Sequence, residues 1–288
     1  MTLVKTYTSP SGNSYVTALA SLSGYVFVGY STNPGRVDKI SPSTMTLVKT
    51  FTAPSVDYYA TSLTSLSGYL FVGYFNSPGR VDKINPSTMT LVKAYTPPSL
   101  PNYARGLTAF SGYVFVGYAI TPGYVEKIDP STMTLVKAYT SFAGSNAVWA
   151  LTSLSGYLFV GYFTTPGRVK KINPSTMSLV KTYTPPSGHN HVRALTSLSG
   201  YVFVGYSTAP GRVDKINPST MTLVKTFTAQ GGHNYVFSLT SLFDYIYAGY
   251  SISPGYVDKI FPSTMSLVKT FTPPSGHHTV WALTSLAI

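Results

Sequence analysis

Apolar residues in this chain come in short runs, each closed by glycine, proline or serine. The first runs are YVTALASL (Tyr15–Leu22), YVFVGY (Tyr25–Tyr30), RVDKI (Arg36–Ile40) and MTLVKT (Met45–Thr50). They are rich in Val, Tyr, Phe, Ile and Thr, which fill a pleated surface well, and the turn sequences SG, NPG and SPST separate them. The pattern therefore predicts β-strands joined by tight turns. Proline or glycine every few residues leaves no room for a helix.

The second and third runs differ in how they distribute apolar residues. YVFVGY carries bulk on both faces, with Phe27 on one side and Val26 and Val28 on the other. A strand that is apolar on both faces is sandwiched between two layers. The third and fourth runs alternate better, so we expect Lys39 and Lys5 to face outward, where lysine also discourages edge-to-edge pairing.

The four runs recur along the whole chain. Met1 recurs as Met45, Met89, Met133, Met177, Met221 and Met265, always 44 residues apart, which gives six full repeats and a partial one. A period of about 40 to 50 residues holding four short strands is typical of a propeller blade. The sequence therefore predicts a single all-β domain over residues 1–288, a β-propeller of four-stranded blades.

The two ends of the chain leave the number of blades open. Met1–Thr8 has the sequence of an outer strand, and Val280–Leu286 has that of an inner strand. Direct pairing of these segments would close a seven-fold ring through a reduced seventh blade, which is our first expectation. The alternative is a six-bladed ring with two surplus strands that are free to pair with another chain.

The run YVFVGYSTNPGRVDKISPSTMTLVKT (residues 25–50) resembles a blade of the YVTN type, which is related to NHL and quinoprotein-like propellers. The resemblance extends to every repeat. Where the family has YVANY, this chain has YVFVGY or YLFVGY, with Gly29 and its equivalents in place of asparagine. The resemblance implies a propeller, typically seven-bladed and common on archaeal and bacterial surfaces, and it implies no catalytic motif.

Composition narrows the classes of function. The net charge of +12 would suit an anionic partner, but the lysines recur at two fixed places per repeat, which predicts a solvated rim and makes nucleic acid an unlikely partner. The absence of cysteine excludes disulfides, thiolate metal sites and a cysteine nucleophile. No apolar run is long enough for a membrane helix, and MTLVKTYT lacks a signal-peptide profile. We expect no membrane span, and we favour a location outside the cell or on a cell or virion surface.

Differences between the repeats concentrate where the fourth strand leads into the next inner strand. The residue equivalent to Thr17 changes between the successive repeats: Thr17, Thr61, Arg105, Trp149, Arg193, Phe237, Trp281. Two residues earlier the series is Tyr15, Tyr59, Tyr103, Ala147, His191, Tyr235, Thr279. In a propeller such equivalent loops emerge on one face, and loops on a rigid frame carry function. Trp, Arg and Tyr are enriched in binding hot spots.

These two positions and the loop that precedes them, which contains His189, His233, His277 and His278, supply the candidate ligand-binding residues: Tyr59, Tyr103, Arg105, Trp149, His189, His191, Arg193, His233, Tyr235, Phe237, His277, His278 and Trp281. Their chemistry suits a sugar stacked on Trp149 or Trp281, an anion held by arginine, or a peptide. We expect a lectin-like or other binding protein. The alternative is a self-assembling surface protein, a homo-oligomer joined through its terminal strands.

Catalytic and metal-binding chemistry are not predicted. The five histidines lie near no cysteine or carboxylate in sequence, so we expect no metal and no cofactor. Five acids occupy one repeated place beside a lysine and are expected to form pairs on the strand surface: Asp38, Asp82, Glu126, Asp214 and Asp258. No Ser, His and Asp arrangement is recognisable, so we expect no enzyme.

Overall fold

The computed structural model describes residues 1–10, 15–55, 59–98, 103–141, 146–274 and 279–286. These residues form six antiparallel sheets, each of four strands in sequential order. We name the sheets blades 1 to 6. No helix with the length and apolar character needed to cross a membrane occurs in the described ranges.

The chain divides into two compact units. The N-terminal unit runs from Leu3 to Thr140 and includes the C-terminal segment from Thr284, and the C-terminal unit contains Ser141–Leu283 with Met1–Thr2. Blades 1 to 3 belong to the N-terminal unit: β1 Val16–Leu22, β2 Tyr25–Tyr30, β3 Arg36–Ser41, β4 Thr46–Thr52; β5 Tyr59–Leu66, β6 Tyr69–Phe75, β7 Val81–Asn85, β8 Thr90–Tyr95; β9 Ala104–Phe110, β10 Tyr113–Tyr118, β11 Tyr124–Asp129, β12 Thr134–Thr140. Blades 4 to 6 belong to the C-terminal unit: β13 Val148–Leu154, β14 Tyr157–Tyr162, β15 Arg168–Asn173, β16 Ser178–Tyr183; β17 Val192–Leu198, β18 Tyr201–Tyr206, β19 Arg212–Asn217, β20 Thr222–Thr228; β21 Val236–Leu242, β22 Tyr245–Tyr250, β23 Val257–Phe261, β24 Ser266–Phe271.

The SG turns fix the first hairpin of the blades. In blade 1, Ser23 and Gly24 both have positive φ, 50° and 77°, and they join β1 to β2. A two-residue turn with two positive φ values matches the right-handed twist of the flanking strands. The same pair recurs in blades 2 to 5, whereas Phe243 and Asp244 replace it in blade 6.

The core lies between consecutive blades within each unit. In the N-terminal unit, Phe71 and Val81 of blade 2 join one cluster with Val114, Val116 and Ile128 of blade 3. Blades 4, 5 and 6 repeat this packing in the C-terminal unit. The prediction that the second strand is buried on both faces is confirmed, since β10 from Val114 to Tyr118 is buried throughout.

The third-strand lysines do not form a solvated rim, so that part of the charge prediction was wrong. Lys39 is only 9% exposed, its Nζ lies 3.9 Å from the Tyr25 ring centroid, and it donates a hydrogen bond to the Pro86 carbonyl of blade 2. Lys83, Lys171 and Lys215 make the equivalent bond to the next blade. The fourth-strand Lys49 is exposed, as expected.

The prediction for the repeated acids was also wrong. All five carboxylates are completely buried. Asp214 accepts hydrogen bonds from the hydroxyls of Tyr183, Tyr206 and Thr226, and His189 Nδ1 lies 2.9 Å from Asp214 Oδ2. A buried carboxylate needs such donors because leaving its lone pairs unpaired is costly.

The structure has six blades, which was the alternative prediction. Among the described residues, neither Thr2–Thr8 nor Val280–Leu286 forms a strand, so the reduced seventh blade made by their direct pairing is absent. Within the N-terminal unit, both chain ends nevertheless contact blade 1: Tyr7 donates to Asp38, and the Ser285 carbonyl accepts a hydrogen bond from Ser21.

Candidate functional site

Each inner strand carries a β-bulge at the variable position equivalent to Thr17. The pairing of inner and second strands shifts register there, between Val148 and Ala150 in blade 4 and between Val192 and Ala194 in blade 5. A bulge leaves its extra residue outside the regular ladder and redirects its side chain. This explains why the position accepts threonine, arginine, tryptophan and phenylalanine without disturbing the sheet.

The residue two positions earlier has a left-handed backbone in three repeats. Tyr103, His191 and Tyr235 have φ of 37°, 51° and 55°. Their N–H groups donate to carbonyls of the preceding blade, at Asn76, Thr164 and Thr208. Non-glycine residues rarely adopt this conformation, and here it is held by hydrogen bonds on both sides of a junction between blades.

In the C-terminal unit these positions build one continuous stack of side chains, the aromatic–arginine array: Trp149, Phe163, His191, Arg193, Phe237 and Trp281. The Arg193 guanidinium lies 4.0 Å from the Trp149 ring centroid and 4.5 Å from that of Phe237. Phe237 in turn stacks on Trp281 at 4.9 Å between centroids. Cation–π contacts contribute about 0.5 to 2 kcal/mol each, depending on desolvation.

His191 and Phe163 close one end of the array. Their rings stack at 3.9 Å with an interplanar angle of 7°, and His191 Nε2 lies 3.1 Å from Thr165 Oγ1. Burial, and to a smaller extent the charge of Arg193, lowers the pKa of His191 below its ordinary value. The imidazole is therefore neutral near pH 7.

The other end of the array is open to solvent. Trp281 is 40% exposed although its ring stacks on Phe237, and Tyr235, two residues before Phe237, is 42% exposed. Trp149, Arg193 and Phe237 are half-buried. The stack therefore holds a large aromatic ring rigidly at the surface.

The N-terminal unit uses the same positions differently. Arg105 lies over Phe75 at 4.8 Å, and Phe75 stacks on Tyr103 at 3.7 Å, with Tyr59 tilted at 6.4 Å from the same ring. Thr17 and Thr61 instead donate hydrogen bonds to the Ala60 and Ala104 carbonyls of the next blade. The structure thus brings Tyr59, Tyr103 and Arg105 together, and brings Trp149, His191, Arg193, Phe237 and Trp281 together.

Two members of these clusters were missed by the sequence analysis. Phe75 and Phe163 follow the conserved tyrosine of the second strand, where the other blades have serine or alanine. Each lies under the left-handed residue of the next blade, Tyr103 or His191. The signal was available, because aromatic residues at this position occur only in the repeats that precede Arg105 and Arg193.

The other two histidines in the described residues, His189 and His233, lie apart from the array. His189 and His233 are buried, beside Asp214 and Asp258 respectively, so they are not accessible to a ligand in this structure. His277 and His278 fall outside the described residues. Within those residues, no group of three His, Cys, Asp or Glu side chains could hold a metal ion.

Comparison with known proteins identifies the fold. Over 96% of this chain and 92% of the other, the structure is similar to the crystal structure of the computationally designed protein Ika8, with a TM-score of 0.67 and 15% sequence identity. The fold is an all-β propeller with six four-stranded blades. No protein-family model matches the chain, and neither does any curated protein. Membership of the YVTN group therefore stays a prediction.

Proposed function

We propose that this propeller is a non-enzymatic binding scaffold that recognises carbohydrate, in the manner of a lectin, through the aromatic–arginine array. The observation that carries the proposal is the open end of the stack, where Trp281 is held against Phe237 and yet remains 40% exposed. One face of a sugar ring is made of C–H groups, and it packs well on a flat aromatic ring. A ring already fixed by stacking loses little conformational entropy on binding.

One feature favours carbohydrate over an anionic ligand, and a second favours binding over catalysis. The charge of Arg193 is covered by Trp149, Phe163 and Phe237, so it stabilises the stack before any ligand arrives. The repeated acids, which would be the natural general acids or bases, are fully buried in contacts with tyrosine, threonine, histidine or arginine. A catalytic acid must reach its substrate.

The test is a glycan array followed by titration of the best-bound glycan. The chain has two tryptophans, and both belong to the array, so intrinsic fluorescence reports binding there. We expect Trp281→Ala to weaken binding by about tenfold or more, as for a hot-spot residue. Phe243→Ala is the matched control, because Phe243 is 82% exposed in the β21–β22 turn and touches no ring of the array. Equal loss in both variants, or no glycan bound, would contradict the proposal.

The second candidate function is assembly through the terminal segments. It is supported by the finding that neither Thr2–Thr8 nor the described part of the C-terminal segment is in a sheet. Light scattering over a range of concentrations distinguishes the two functions, since an assembling protein grows in mass with concentration and a monomeric lectin does not.

A further inference from the structure

Blade 1 carries an apolar groove of about 290 Å³ on one face of its sheet. Val16, Val26, Val28, Ile40 and Met45 line it, together with Tyr7 of the N-terminal segment. Val16, Val26 and Met45 are half-buried, whereas their equivalents in blade 3, Ala104, Val114 and Met133, are at most 4% exposed. The groove is therefore a sheet face that is buried in blade 3 and partly exposed in blade 1.

In blade 3, this face is covered by blade 2. In blade 3, Val114, Val116 and Ile128 pack in one cluster with Phe71, Val81 and Tyr95 of blade 2. Phe71 belongs to the second strand, Val81 to the third and Tyr95 to the fourth. In the cluster of blade 1, only the counterpart of Tyr95 is present, and it is Tyr7.

The two chain ends mark the inner and outer limits of the groove. Tyr7 donates to Asp38 at 3.0 Å, as Tyr95 donates to Glu126 at 2.9 Å, so the N-terminal segment takes the place of a preceding fourth strand. Ser21 donates to the Ser285 carbonyl at 2.8 Å, as Ser65 donates to the Ser21 carbonyl at 3.3 Å. The C-terminal segment thus takes the place of a preceding inner strand.

We propose that this groove is a docking site for a β-hairpin with the sequence pattern of the second and third strands of this repeat, supplied by a different protein and not by a second copy of this chain, whose own second and third strands are already paired within their sheets. Such a hairpin presents a phenylalanine and a valine to blade 1, as Phe71 and Val81 face blade 3. Its lysine can also reach blade 1, because Lys39 and Lys83 each donate to a proline carbonyl of the next blade, and Pro42 is the equivalent proline here. Pairing of strands with matched faces gives both affinity and specificity.

The test uses a synthetic peptide with the sequence of Tyr201–Asn217, YVFVGYSTAPGRVDKIN, and two variants of the whole chain. Because the chain has no cysteine, Met45→Cys and Met133→Cys each introduce one thiol at equivalent left-handed positions, with φ of 55° and 52°. Met133 is buried and Met45 is half-buried, so the thiol at 45 should react with a maleimide at least about tenfold faster. Saturating peptide should abolish that difference by slowing the reaction at 45 by about tenfold.

A control peptide carries Phe203→Ser and Val213→Ser, which remove the two apolar side chains and leave the backbone pattern intact. Protection by the first peptide and not by the control supports the proposal. The proposal would be overturned if both peptides protected the thiol at position 45 equally, or if neither did. It would also be overturned if the reaction at position 45 slowed with rising protein concentration in the absence of peptide. The last result would mean that a second copy covers the groove.

Discussion

The acid position of the third strand and the bulge position of the inner strand recur in every repeat, 21 residues apart (Thr17 to Asp38), yet they tolerate change very differently. The third-strand position is an acid in five of six blades, and each acid is fully buried. The bulge position is threonine, arginine, tryptophan or phenylalanine. The difference shows that variation is permitted where the backbone directs a side chain out of the ladder, and restricted where a charge must be matched by buried donors.

The largest effect is expected from removing a buried acid. Asp214→Ala leaves the hydroxyls of Tyr183 and Tyr206 and the ring of His189 without their shared acceptor. Breaking such a buried cluster costs about 3 to 5 kcal/mol of unfolding free energy. Urea denaturation measures this loss. The control is Asp244→Ala in an exposed turn, which should stay within about 0.5 kcal/mol of the parent. A loss below about 1 kcal/mol in Asp214→Ala would show that the cluster is not the stabilising element we describe.

The fold was predictable because the pattern repeats. Four short apolar runs closed by SG, NPG and SPST give the strands and turns of all six blades, and they were confirmed. The first expectation for the blade count, seven, was wrong and the alternative of six was confirmed, because Met1–Thr8 has the sequence of an outer strand but lacks a neighbouring strand to pair with among the described residues. Strand-like sequence alone does not make a strand when the hydrogen-bonding partner is missing.

The acids were misassigned because the burial of their carboxylates depends partly on donors that are distant in sequence. Asp38 stands beside Lys39 in an alternating run, which is typical of a surface strand, and it pairs with the nearby Arg36, but its other donor Tyr7 is 31 residues away. The bulge positions were found because they vary between repeats while the surrounding strand sequence is kept. Phe75 and Phe163 were missed because their contacts to Tyr103 and His191 cross from one blade to the next, so only a comparison of successive repeats, and not the pattern within one repeat, indicates them.

A moderate effect is expected in blade 4, where Lys170 occupies the acid position. Its ammonium group is buried and donates to Ser141, and burial, together with the nearby charge of Arg168, lowers its pKa. Lys170→Asp removes one of the two neighbouring cations, Lys170 and Arg168. The new aspartate can pair with Arg168, as Asp38 pairs with Arg36 in blade 1. We expect unfolding free energy to rise by about 1 kcal/mol.

Lys171→Asp is the matched control for that substitution. Lys171 lies 3.8 Å from the Tyr157 ring centroid and donates to the Pro218 carbonyl, so its replacement should lower stability. Thermal unfolding of both variants gives the comparison. If Lys170→Asp is the less stable of the two, the surroundings of position 170 stabilise lysine better than aspartate. The acid position of blade 4 would then not be equivalent to that of the other blades.

The smallest effect concerns the titration of His191 in the array. Its pKa is lowered mainly by burial against Phe163 and secondarily by Arg193. Arg193→Gln should therefore raise that pKa part of the way toward the ordinary value of about 6.5, because the burial remains. Since the folded pKa lies below the unfolded one, the contribution of His191 to stability is complete above about pH 6.5 and is lost as the pH falls through the folded pKa. NMR titration of the imidazole measures the shift, and Arg105→Gln, at the equivalent bulge of blade 3, should leave it unchanged. An unchanged His191 pKa in Arg193→Gln would show that the charge of Arg193 does not affect the imidazole. The guanidinium would then contribute to the array only through its contacts with the aromatic rings.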